Sequence, residues 1–144
     1  MDREAVFNAL FARATAVAWG DPPARFAYAA RRVRLYPDLP ALPALCQAEH
    51  DETHVATAGL YPKRTLGAAW MIHHATADPQ ATPASVNNAI LDAVEAQLSP
   101  DSADGCCTLG GLVAHCWIEG EVFKDPGDLD GQALLIVPIR MLVP

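Results

Sequence analysis

Three stretches of this chain hold residue types from which chemistry is built. Cys106-Cys107 and His115-Cys116 gather thiols and an imidazole, His73-His74 sets two imidazoles side by side, and Asp125-Pro126-Gly127-Asp128-Leu129-Asp130-Gly131 places three carboxylates in a turn. A zinc centre needs its ligands to converge on a tetrahedron, and the usual knuckle separates its cysteines by two residues. Adjacent cysteines do not fit that spacing. Neighbours on a strand, such as His115 and Cys116 or His73 and His74, point to opposite faces. Cys116 therefore reads as a core residue and His115 as a surface one, with no metal site. The acidic turn fails as a calcium loop. Aligning Asp128, Asp130 and Gly131 to the third, fifth and sixth positions puts Pro126 at the first and Val137 at the twelfth, where side-chain oxygens are required. What remains open to these acids is a loosely held divalent ion at a subunit contact. Gly110-Gly111 lacks the Lys-Ser/Thr and the helix of a phosphate loop, and no Gly-x-Ser-x-Gly elbow occurs. Without a nucleophile, base and orienter in one constellation, the residues point to a binding or assembly protein with no cofactor, not to an enzyme.

The composition agrees with a folded chain. At 144 residues, 51% apolar and 19% charged, it is long enough for one domain with a single packed core. The first twenty residues intersperse acids and arginines among apolar positions, which fits neither a signal peptide nor a membrane span. A soluble, cytoplasmic protein with four reduced thiols is expected. Net charge is −7, the wrong sign for a general DNA-binding surface. The charge is also uneven: residues 1–70 carry eight Lys/Arg against seven Asp/Glu, and residues 71–144 carry two against ten. The acidic excess lies wholly in the C-terminal half, either as solvated faces or as a surface that repels nucleic acid or meets a basic partner.

Periodicity supplies the elements that would carry these groups. Val6, Phe7, Leu10, Phe11, Ala14 and Val17 form one stripe on a helix over Arg3–Val17, capped by Asp2 and ended by Gly20. Arg25–Tyr36 alternates as a strand, with Arg32 and Arg34 opposite Val33 and Leu35. Tyr36–Pro43 is a Pro-rich connector, Ala44–Glu49 a short strand at an edge, and His50–Pro62 an exposed polar loop suited to partner contacts. Lys63–Ala75 returns to strand, with Leu66, Ala68, Trp70 and Ile72 on one face. Pro83–Leu98 is a second helix with Thr82 as its cap; Val86, Ile90, Ala93, Val94 and Leu98 are its buried stripe, and Asn87, Asp92 and Glu95 lie away from it. This helix has the length of a crossover between Lys63–Ala75 and Val113–Phe123, which would make those strands parallel neighbours if they pair. Val113–Phe123 and Gln132–Val143 form a long hairpin; the second strand is apolar enough to be covered on both faces, although Pro138 demands a bulge or an edge there. The sum is a single α+β domain, with a mixed, mostly antiparallel sheet of about five strands packed by two helices.

Several segments together resemble the tail-terminator (tail-completion) proteins of long-tailed phages and prophages. They are RRVRLYPDLP within Ala27–Pro40, LYPKRTL at Leu60–Leu66, AILDAVEAQL at Ala89–Leu98, TLGGLVAHCWIEG at Thr108–Gly120 and QALLIVPIRMLVP at Gln132–Pro144. They span nearly the whole chain in order, and TLGGLV…CWIEG is the most specific. Cys46 departs from the pattern where a larger apolar residue is usual, and Cys106-Cys107 where polar residues are common. The resemblance implies a structural virion protein: a homohexameric ring that caps the tail tube, ends its polymerisation and joins it to the neck or head-tail connector protein. DNA would pass through the lumen without sequence-specific binding. Assembly would occur in the bacterial host cytoplasm, and no membrane is involved. Expected subunit or partner contacts are Arg31, Arg32, Arg34, Lys63, Arg64, Asp125, Asp128 and Asp130, with the arginines of the first strand meeting a neighbour's acids at the Asp125–Asp130 tip. Another tail or neck component, or a small ligand-binding α+β domain, are the alternatives.

Overall fold

Asp2 opens the first helix, α1 (Arg3–Thr15), by accepting from Ala5 N at 3.1 Å, which satisfies an amide that a helix start leaves bare. Val6, Leu10 and Ala14 are its buried stripe, as their spacing predicts. The computed structural model describes residues 1–76 and 78–144. After α1 comes a two-stranded ribbon, β1 (Ala18–Trp19) with β2 (Ala24–Arg25), which periodicity did not reveal. The main sheet follows: β3 (Tyr28–Ala30), β4 (Ala44–Val55), β5 (Lys63–Ala75), β6 (His115–Ile118), β7 (Phe123–Asp125) and β8 (Gln132–Val143). Its order is β3-β4-β5-β8-β6, with β7 also on β8. Among the described residues only β3 with β4 is parallel, and every other pairing is antiparallel. The second helix, α2 (Ala84–Gln97), links β5 to β6. This is an α+β fold with six main strands rather than five.

Both helices lie on one face of the sheet. On that face Leu66, Ala68, Trp70 and Ile72 of β5 meet Leu135, Val137, Ile139 and Met141 of β8, and all are buried with Val6, Leu10, Ile90 and Val94 of the helices. At the centre, Trp70 Nε1 donates to Gln47 Oε1 at 3.0 Å. Gln47 Nε2 in turn donates to the Phe7 carbonyl of α1 at 3.1 Å and to Glu49 at 3.0 Å. A fully buried amide thus joins the largest core side chain to a helix backbone. One turn of sheet away, His74 and Asn87 Oδ1 of α2 meet at 2.6 Å.

Several expectations need correction. The first strand is three residues long: Arg31–Leu35 leaves the sheet and Tyr36–Asp38 forms a 3₁₀ turn. Tyr36 packs edge-on against His73, with centroids 5.9 Å apart, so this segment covers one end of the opposite sheet face. Ala44–Glu49 is not a short edge strand. β4 continues to Val55, with a bulge between Glu49 and Asp51, and lies between β3 and β5. The exposed loop shrinks to residues 56–62. Backbone pairing with β5 holds Asp51–Val55 in the ladder although their side chains are mostly exposed, which side-chain hydrophobicity does not register. Asn87 was placed away from the buried stripe, yet it is buried because His74 supplies its partner. The Thr82 side chain caps nothing; Pro83 occupies the cap position. β5 and β6 run the same way but are not neighbours, since β8 lies between them.

β8 organises the sheet. Its residues 133, 135, 137, 139, 141 and 143 are buried, while the alternate residues are half-exposed, so only one face is fully covered. Pro138 sits mid-strand without an N–H. Its carbonyl accepts from Glu119 N at 3.2 Å, and a residue's two backbone groups point to the same neighbour in a ladder. Its missing donor therefore faces the gap between β6 and β7. The expected bulge is not in β8; the partner strand breaks instead.

Gly67, across β5, marks a second constraint. Asp51 of β4 and Arg140 of β8 pair over it, and a methyl group at residue 67 would overlap both side chains. The buried amide at residue 47 offers a direct test of the core. Gln47→Leu keeps the volume but strands the Trp70 N–H and removes the side-chain bond to the Phe7 carbonyl. We expect a loss of about 2 kcal/mol in urea unfolding, since an unmet buried polar group costs about 1–3 kcal/mol.

Candidate assembly surfaces

The acidic turn between β7 and β8 is held rigidly at its base. Asp125 accepts from Gly127 N at 3.0 Å and Asp130 from Gln132 N at 2.9 Å. Thr76 N donates to the Gly131 carbonyl at 2.9 Å, and Gly131 N to Gly127 O at 3.0 Å. Gly127 adopts φ +82°, and a Cβ there would press on Thr76 and on the Gln132–Ala133 backbone, so the turn requires glycine. Asp128 and Leu129 are left at the apex. Leu129 is 101% exposed, and none of Asp125, Asp128 or Asp130 pairs with a cation among the described residues.

The three arginines are not a common patch. Arg31 donates to both Glu49 oxygens at 2.7 Å, to both Glu4 oxygens at 2.8 and 2.9 Å, and to Asn8 at 2.8 Å. The guanidinium bridges α1 to β4 and has no capacity left for a neighbour. These bonds hold both carboxyls below their usual range and raise the guanidinium further. Arg34 donates to the Tyr28 hydroxyl at 2.8 Å and lies over its ring. Arg32 alone is exposed with no such bond. Of the three expected to dock on a neighbour's acids, Arg31 is fully engaged within the chain, while Arg32 and the outer guanidinium nitrogens of Arg34 make no hydrogen bond among the described residues.

Lys63 and Arg64 have a different setting. They start β5, where it pairs with the end of β8, Arg64 opposite Val143. A cleft of about 770 Å³ opens there, with Leu142, Val143, Ala114 and Pro62 supplying apolar wall and Tyr61 standing over it. Tyr61 is 95% exposed. Arg64 donates one bond, to the Pro144 carbonyl oxygen at 2.8 Å; Lys63 makes no ion pair among the described residues. Neither Leu129 nor Tyr61 stood out from charge and motif spacing. The signal was a lone leucine in one polar turn and the Leu60-Tyr61 pair in the other.

The thiols serve the core. Cys107 and Cys116 are buried, with Cys116 N donating to the Cys107 carbonyl at 2.8 Å. Burial, with Cys107 alongside, pushes the Cys116 thiol up, away from the thiolate that metals and electrophiles need. His115 Nδ1 accepts from Cys107 N at 3.2 Å. Among the described residues no group of three His, Cys, Asp or Glu is placed to hold a metal ion, and no helix is long and apolar enough to cross a membrane. The specific TLGGLV segment is also tied inward. Asp101 accepts from Thr108 N at 2.6 Å, Thr108 Oγ1 at 2.9 Å and Gly110 N at 3.1 Å, and pairs with Arg13 of α1 at 3.0 Å. Those donors hold its carboxyl down at about 2.

These depressed carboxyls set the acid limb of stability. Each favours the folded state above its unfolded pKa and loses that contribution as pH falls through the folded value. Stability should thus hold from neutral pH to about pH 5 and decline toward pH 2. Arg31→Met should flatten the part of this decline that comes from Glu4 and Glu49 and leave the Asp101 part, as read by urea midpoints across pH. It should leave self-association unchanged. No family model and no curated protein matches this chain.

Proposed function

We propose that this chain is the subunit of a homohexameric ring that caps the tail tube of a long-tailed phage or prophage, ends tube polymerisation and joins the tube to the neck or head-tail connector. The observation that carries the reading is the ordered likeness to tail-terminator proteins along nearly the whole chain. Its most specific segment, Thr108–Gly120, meets another of its segments, Gln132–Pro144, where β6 pairs with β8.

Physical features support a ring. A closed ring needs heterologous contacts, in which one patch of the protomer fits a different patch of the next. The acidic turn and the basic, apolar cleft differ in this way and lie on separate parts of the surface. The acidic excess of residues 71–144 suits a lumen that DNA must traverse: like charge keeps phosphate from sticking. Tails assembled with the gene inactivated, imaged by negative-stain electron microscopy, test the reading. Overlong tubes lacking a head-proximal cap are expected; tubes of normal length would assign the chain to another joint.

A further inference from the structure

The turn and the cleft lie at opposite ends of the same strand. β8 begins at Gln132, next to the turn, and ends at Val143, in the wall of the cleft. Twelve residues of strand separate them by about 36 Å at a rise of 3.3 Å per residue. No protomer can bring its own turn to its own cleft. The two are nonetheless complementary. One is an apolar side chain, fully exposed at an anchored apex and flanked by Asp128 and Asp130. The other is an apolar recess with Lys63 and Arg64 on its rim. Burying a lone leucine while setting unpaired acids against unpaired bases meets both requirements of a specific contact, apolar anchor and charge match.

We propose that Leu129 of one copy seats in the cleft between the start of β5 and the end of β8 of the next copy, with Asp128 and Asp130 against its Lys63 and Arg64. The inference rests on the ring reading and names its contact. Because turn and cleft differ, the contact is head-to-tail, and β8 of each subunit runs along the circumference. Arg31 takes no part, since all its N–H groups are bonded within the chain.

Sedimentation velocity on the full chain and three variants tests this, with circular dichroism confirming that each variant is folded. Leu129→Ser removes the anchor without changing charge and should raise the half-assembly concentration by about 30-fold, the effect of losing a central anchor. A turn variant, Asp128→Lys with Asp130→Lys, and a cleft variant, Lys63→Glu with Arg64→Glu, should each be monomeric. Mixed in equal amounts, they offer two charge-matched junctions, the native turn in the native cleft and the reversed turn in the reversed cleft, so they should restore rings of alternating variants. Rings of unchanged mass in all three variants would overturn this contact while leaving the ring reading intact. Mixtures that stay monomeric would also overturn it. An unmutated chain that stays monomeric at every concentration would remove the ring reading itself.

Discussion

A single amide holds the two layers of this protein in register. Gln47 takes the indole N–H of Trp70 and gives its own to the Phe7 carbonyl and to Glu49. Glu49 is gripped by Arg31, which also grips Glu4 and Asn8 on α1. The chain of bonds runs from the centre of the core to the surface, and each member is the partner that makes the previous one tolerable in a low-dielectric setting. α1 is consequently fixed to β4 at two depths, through a backbone carbonyl inside and a guanidinium outside. The helix cannot slide along the sheet without breaking both.

β8 provides the second constraint. It pairs along its full length with β5 and, on its other edge, with two short strands interrupted opposite Pro138. A central strand carrying a proline tolerates it only if the neighbour supplies a gap, and Glu119–Val122 is that gap. The same strand joins the two surface features of opposite character, so the stiffness of its ladder with β5 sets the distance between them.

How much of this was legible in the residues depended on whether side chains or backbone decided the outcome. β5 and β8 are found from end to end by pattern, because both bury alternate apolar residues in the core. The stripes of both helices are equally plain. The far half of β4 is not, since His50–Val55 is in the sheet through backbone bonds made beyond the core. The helical spacing puts Asn87 toward water, and only its bond to His74, thirteen residues earlier, accounts for its burial. Arg31 shows the same limitation: its charge is visible in sequence, but its partners come from α1 and from beyond the β4 bulge. The acidic turn is legible as a turn, whereas its distance from Lys63 and Arg64 is fixed only by the course of β8.

The shortness of β3 has a consequence for the stoichiometry of crowded solutions. Beyond Cys46 the outer edge of β4 carries no partner strand among the described residues, and open edges invite a second copy to add its own edge. This edge is kinked by the bulge between Glu49 and Asp51. Two such edges brought together about a twofold axis would set kink against kink. Symmetric pairing, which saturates at two copies, is thereby penalised, and association is left to contacts between unlike surfaces, which can continue until a circle closes.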